Sequence, residues 1–253
     1  MLEVKNLSTY FYQDDAIVKA VDDISLSVEK GEVLGILGES GSGKSTIAHS
    51  ILRLIQPPGK IVSGEIIFNG RDLLRLTDEE IINIRGAKIS MIFQDPFTSL
   101  NPVFTVGEQI VEVIRLHQGL NKKEAWEKAI QMLETVQIKY PGARVRDYPH
   151  QFSGGMRQRA MIAMALACKP ELLIADEPTT ALDVTIQAEI LKLIKEIQQK
   201  FNLSVIYITH NFGIIKAICQ RVIVVSKGKI VERGGVGDVF ASPMQFFRRS
   251  QRL

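Results

Sequence analysis

The chain has 253 residues, 45% of them hydrophobic and 23% charged, with a net charge of +3, which allows a large α/β domain or a core with an insert and is too mild to argue for nucleic acid. Two cysteines, Cys168 and Cys219, stand at no metal-ligand spacing and fit a reducing compartment, and both read as core filler rather than as groups that do chemistry. No apolar run approaches the ~20 residues that cross a bilayer, and Met1-Leu2-Glu3-Val4-Lys5 opens with strand-like alternation rather than a signal peptide, so a cytoplasmic chain is expected, reaching a membrane only through partners.

Residues 2–36 read as strands. Ile24, Leu26 and Val28 alternate with Ser25, Ser27 and Glu29, as in a half-buried antiparallel strand, and Lys30-Gly31 supplies a turn. Val33-Leu34-Gly35-Ile36-Leu37 is apolar almost throughout, the pattern of a central parallel strand covered on both faces. A helix is expected over 44–55, ended by Pro57-Pro58, then a strand over 63–69, a short helix over 77–85 capped by Thr77 with Glu80, and a strand over 89–93. From 96 to 148 the character is helical: Asn121 with Glu124 forms an N-terminal cap, and Ala125, Ala129, Met132, Leu133 and Val136 follow helical spacing. A helix over 161–168 precedes strands over 172–176 and 204–209, between which Ile186, Ile190, Ile194 and Ile197 mark one face of another helix. Strand–helix alternation predicts a parallel sheet with right-handed crossovers. A hairpin over 222–231 turns at Lys227-Gly228. The expected organisation is an α/β core formed by 1–95 and 161–253, interrupted by a helical subdomain over 96–160.

Three segments carry chemistry. Gly38-Glu39-Ser40-Gly41-Ser42-Gly43-Lys44-Ser45, followed by Thr46, fits G-x-x-x-x-G-K-[ST] between a strand and a helix. Its glycines let successive backbone N–H groups turn toward a β-phosphate, Lys44 adds a compact positive charge, and the Ser45 hydroxyl can ligate Mg²⁺. Leu172-Leu173-Ile174-Ala175-Asp176-Glu177 is an apolar strand ending in two acids. Asp176 can hold the Mg²⁺ shell and Glu177 can polarise a water that attacks a γ-phosphate; alone, the pair would read as a solvated turn. Ser153-Gly154-Gly155, opening a helix, offers a second set of backbone donors, although Ser153 would cap an ordinary helix equally well.

Together these segments resemble the ATP-binding cassette ATPases over essentially the whole chain. The resemblance implies an α/β P-loop NTPase (RecA-like) core with a parallel sheet, an N-terminal antiparallel β subdomain and an inserted α-helical subdomain. It implies ATP and Mg²⁺ as ligands. Phosphate contacts fall to Gly38, Ser40, Gly41, Ser42, Gly43, Lys44, Ser45 and Thr46. Ser153, Gly154 and Gly155 would reach the γ-phosphate of ATP bound to an opposing subunit. By position, Gln94 looks like the residue that senses Mg²⁺ and γ-phosphate, Asp183 in Ala181-Leu182-Asp183 like a member of the D-loop, and His210 like the switch histidine. Phe11 stands where the family puts an aromatic on adenine, with Tyr10 and Tyr12 beside it and a core-strand role as the other reading.

The wording of the motifs narrows the class. Met91-Ile92-Phe93-Gln94-Asp95-Pro96-Phe97-Thr98-Ser99-Leu100-Asn101-Pro102, Phe152-Ser153-Gly154-Gly155-Met156-Arg157-Gln158-Arg159 and the 175–183 segment are similar to the dipeptide, oligopeptide and nickel importer ATPases. That likeness implies a second ATPase subunit, two membrane-spanning permease subunits, an extracytoplasmic binding protein, no nucleic acid partner, and a place at the cytoplasmic face of the membrane. Residues 239–247 begin like the region that leads into a cysteine-bearing extension with a His-Pro-Tyr motif, and the sequence stops at Leu253 without them. Peptides, nickel or another metal chelate, and a truncation therefore stay open. A cassette ATPase of DNA repair or translation is the reading from another class; it usually carries a second cassette or a coiled-coil insert.

Overall fold

The computed structural model describes residues 1–13, 16–95, 99–180 and 182–241. Pro96-Phe97-Thr98 of the motif around Gln94, Ala181 of the D-loop segment, and the tail from Ser242 to Leu253 lie outside the described residues. Two compact units are present, Met1–Thr77 with Ser204–Leu253, and Asp78–Leu203.

The first unit opens with β1 (Leu2–Gln13) and β2 (Ala16–Val28), paired antiparallel, with β3 (Val33–Leu37), α1 (Lys44–Ile51), β4 (Gly59–Phe68) and β5 (Arg71–Asp72) following. One sheet runs β2-β1-β4-β5, and it is antiparallel at each pairing. Ile24, Leu26 and Val28 are buried as their alternation requires. All five residues of β3 are buried, as its unbroken apolar run demands. Helix α1 is shorter than the expected 44–55. Arg53 turns left-handed at φ 51° and the Leu54 amide donates back to the His49 carbonyl at 2.7 Å, closing the helix four residues early. The Arg53 guanidinium then donates to the carbonyl of Leu76 at 2.6 Å, tying this end to the segment after β5.

In the second unit, α2 (Asp78–Ile82) and β6 (Ile89–Ile92) lead into α3 (Val106–Gln118), α4 (Lys122–Thr135), α5 (Pro141–Arg144), α6 (Gly154–Leu166), β7 (Leu172–Asp176) and α7 (Val184–Phe201). Thr105 with Glu108 caps α3 and Asn121 with Glu124 caps α4, each pair bonding reciprocally. The stripe Ala125, Ala129, Met132, Leu133 and Val136 is core. Strands β6 and β7 pair in parallel.

The chain returns to the first unit with β8 (Ser204–Thr209), α8 (Phe212–Ile218), β9 (Arg221–Ser226), β10 (Lys229–Gly235) and α9 (Val236–Ala241). Strand β3 lies between β8 and β9, parallel to both, and β10 is antiparallel to β9. The hairpin turns at Lys227 and Gly228, both left-handed at φ 49° and 77°, the geometry that matches the twist of the flanking strands. Leu37, Ile215, Val222, Val224 and Val239 form a core under α8, sealed by Phe212 edge-on to Phe240. Parallel strands, an antiparallel N-terminal sheet and a helical insert are the architecture the sequence implied. No helix among the described residues is long and apolar enough to cross a membrane.

Candidate functional site

The phosphate loop leaves the carboxyl end of β3. Position 38 accepts only glycine, because a Cβ there would lie 2.3 Å from the Val225 carbonyl oxygen and 2.6 Å from Ser42 Oγ. Gly43 is at φ 106°, and a Cβ added there would lie 2.1 Å from the Ala20 carbonyl oxygen, so both its backbone angle and its space exclude a side chain. The loop is clamped on its outer side: the Gly228 amide donates to the Ser42 carbonyl at 2.9 Å, and the Asp22 amide donates to the Gly228 carbonyl at 2.8 Å. Lys44 is buried, and its ammonium crosses back over the loop to the carbonyls of Gly38 and Glu39, both at 2.9 Å.

Three features of this loop fit a triphosphate. Helix α1 has no side-chain cap and no acid in its first turn, so its N-terminal amides keep their affinity for an anion. Ser40 and Gly41 are exposed at the crest, and Ser45 and Thr46 are half-buried below it. The buried Ser42 Oγ has no hydrogen-bond partner within the protein. For the cation, the described residues hold no cluster of three or more His, Cys, Asp or Glu side chains able to bind a metal.

His210 stands next to the loop within this unit. Thr209 pairs in register with Leu37, so the residues that follow each, His210 and Gly38, leave the same end of neighbouring parallel strands. His210 is exposed, and Asn211 beside it caps α8 by accepting from the amides of Gly213 and Ile214. Phe11 shares a strand face with Thr9, whose hydroxyl bonds Ser50 of α1 at 2.8 Å. The Phe11 ring sits over Gly59, where a Cβ would be 2.6 Å from its Cε1. Its neighbours point the other way: the Tyr10 hydroxyl donates to Asp22, and Tyr12 is exposed with the Lys60 ammonium 5.9 Å from its ring. The Tyr10 bond, helped by Lys229 and Lys19, holds the Asp22 carboxyl below its ordinary pKa.

The second unit assembles its own set. Ile92 pairs with Ala175, which brings Gln94 and Asp176 to the same end of β6 and β7. Asp176 is buried at the last position of its strand, whereas Gln94 is exposed. Glu177 is buried and left-handed at φ 46°, a conformation that a non-glycine residue adopts only at a cost. Its carboxylate accepts from the Thr180 hydroxyl at 2.9 Å. Ser153 is the N-cap of α6, accepting from the Met156 amide at 3.3 Å, and Asp183 is the N-cap of α7, accepting from the Ile186 amide at 3.0 Å. The two helix starts meet, since a Cβ on Gly154 would touch Leu182 and one on Gly155 would be 2.8 Å from Ile186. Arg159 locks the base of this arrangement, donating to the Val136 carbonyl at 2.9 Å and to Glu189 at 3.0 Å.

Sequence reasoning missed several of these parts. The Gly228 and Ala20 buttress of the phosphate loop has no local signal, because it is made by segments far apart in the chain. Thr180 could have been found, since a hydroxyl three residues after a candidate base is within reach of it. Thr179, which accepts from the Gln187 amide at 3.0 Å, has a weaker signature.

Comparison with known proteins gives the family. A family profile described as ABC transporter matches residues 21–180. The chain is 53% identical to the probable peptide ABC transporter ATP-binding protein y4tR of Sinorhizobium fredii over 99% of this chain and 75% of that protein. It is 50% identical to the oligopeptide transport ATP-binding protein OppD of Salmonella typhimurium (96% and 72% covered), and 51% to the dipeptide transport ATP-binding protein DppD of Escherichia coli (96% and 74%). Among solved structures, the dimeric ATP-binding cassette MJ0796 in a post-hydrolysis state with ADP and Pi superposes at a TM-score of 0.83, with 28% identity over 93% of this chain and 99% of that one. With a phosphate loop, a strand-end acid pair and a glycine-rich helix start all formed as described, the chain belongs to the ABC transporter family as an ATPase of that family.

Proposed function

We propose that this ATPase is the energising subunit of an importer that takes up peptides. The observation that carries the reading is its likeness, at 50–53% identity over 96–99% of its length, to relatives named for peptide, oligopeptide and dipeptide transport. In this reading it works at the cytoplasmic face of a membrane, docked on two permease subunits that receive cargo from an extracytoplasmic binding protein. It closes with a second ATPase subunit, its own copy or a similar chain, around ATP.

Gly38–Thr46 wraps the phosphates with its backbone amides, and Lys44 exchanges the Gly38 and Glu39 carbonyls for β- and γ-phosphate oxygens. Ser45, Asp176 and Gln94 are the residues that would hold Mg²⁺, and the cation would supply neutralisation of the phosphate charge. Phe11 borders the adenine. Ser153 and the amides of Gly154 and Gly155 present a helix N-terminus to the γ-phosphate carried by the other subunit, and Asp183 faces that same junction. Glu177 turns from Thr180 to a water and orients it for in-line attack, while His210 contacts the γ-phosphate from the end of β8. Gln94 relays the loss of that phosphate to the helical segment that follows.

Two experiments test this. Glu177→Gln keeps the shape of the site and removes the base, so ATP binding stays and turnover falls by ~10²–10⁴; near-normal turnover rejects Glu177 as the base. Co-purification with the permeases, followed by a screen of binding-protein ligands, gives ATPase stimulation by peptides; stimulation by a metal chelate alone rejects the peptide assignment.

A further inference from the structure

Gln158 is fully buried in α6, and neither its Nε2 nor its Oε1 has a hydrogen-bond partner in the protein. A buried carboxamide with neither end bonded has lost its water and gained nothing in return, and native structures rarely tolerate this without a reason. Its position suggests the reason. Residues three and four apart on a helix share a face, so Gln158 lies one turn beyond Gly154 and Gly155, whose faces meet Leu182 and Ile186. That is the segment immediately after the turn Glu177–Thr180. The same turn shows a second sign of a costly arrangement: Glu177 is left-handed, and its carboxylate is held by Thr180 rather than turned outward. One short stretch of the unit thus combines a strained base, a base occupied by a neighbour, and an unmet amide beneath the helix face that carries the segment.

We propose that Gln158 is a positioning residue with two states. In the present state its carboxamide is unpaired. When the turn Glu177–Thr180 rearranges around bound nucleotide, Gln158 bonds to the polar groups of that turn, with Thr180 releasing Glu177 as it does so. The amide of α6 therefore links the Ser153 helix to the orientation of Glu177, and it favours the hydrolytic arrangement because only there is its hydrogen bonding satisfied. This rests on the proposed reading of Glu177 as the base.

Gln158→Met keeps the length of the side chain and removes its polarity. Without nucleotide, the full chain carrying Gln158→Met melts higher than the wild type, by roughly 2–4 °C, because an unpaid desolvation is gone. With Mg²⁺ and ATP the variant gains less thermal stabilisation than the wild type gains. Its KM for ATP is unchanged and its kcat is about tenfold lower, the signature of a misaligned base rather than of weakened binding. A nucleotide-free variant that melts lower than the wild type overturns the proposal, since Gln158 would then be bonded already. So does an unchanged kcat with an unchanged nucleotide-induced shift. The nucleotide-free melting does not involve the role of Glu177, so this inference and that reading fail separately: normal turnover in Glu177→Gln sinks the reading, and a lower melting point in Gln158→Met sinks the inference.

Discussion

Gly43 carries two separate demands, a positive φ and a close approach to the Ala20 carbonyl. An alanine there violates both, so Gly43→Ala should destabilise the chain by about 1–3 kcal/mol and weaken ATP binding, read by chemical denaturation and nucleotide titration. Lys44 sits in a different position energetically. Its ammonium already bonds two loop carbonyls, so Lys44→Ala should remove ATP affinity and, by taking that donor from those carbonyls, also lower stability by about 1–3 kcal/mol, and a melting curve beside a binding titration separates the two effects. The cysteines behave as packing groups. Burial pushes the Cys219 thiol up to about 12, and the Cys168 thiol is also raised by burial. Because the folded chain keeps the Cys219 proton while an unfolded thiol loses it near its ordinary value, this residue's contribution to stability is present below that value and is lost as pH rises toward 12. A thiol reagent at neutral pH should label the native chain slowly at both sites and rapidly once it is unfolded; fast native labelling of Cys219 would contradict its burial.

At the scale of elements, local determinants were read well from sequence and long-range ones were not. The cap at Asn121, the parallel strand 33–37 and the Lys227-Gly228 turn are each fixed by residues within a few positions of one another, and all are formed. Asn121→Ala should therefore cost about 1 kcal/mol, seen as a lower melting temperature with ATP binding unchanged. Helix α1 shows where such reading stops. Its helical pattern runs on past Ile51, yet Arg53 finds carbonyl partners after β5 and turns left-handed, so tertiary bonding ends the helix before the prolines do. The candidate site divides in the same way. The phosphate loop and acid pair were legible because their chemistry is contiguous in sequence, whereas the Gly228 clamp, the left-handed Glu177 and the unpaired Gln158 depend on segments brought together by the fold.

For the whole molecule, the phosphate loop and the Ser153 helix start fall in different compact units, one around β3 and one around α6. In the proposed function each triphosphate is met by both, the loop from one subunit and the Ser153 helix from the other. Ser153→Arg should leave ATP binding to the isolated chain unchanged and cripple hydrolysis; lost binding in the isolated chain would place the signature on its own nucleotide. The most direct test is a complex of the Glu177→Gln chain with its partner ATPase, trapped with Mg²⁺ and ATP and solved at atomic detail. The expected result is the Ser153 hydroxyl of one subunit at the γ-phosphate of an ATP whose β-phosphate lies on Lys44 of the other. Ser153 turned to the nucleotide on its own Lys44, or to none, would contradict it.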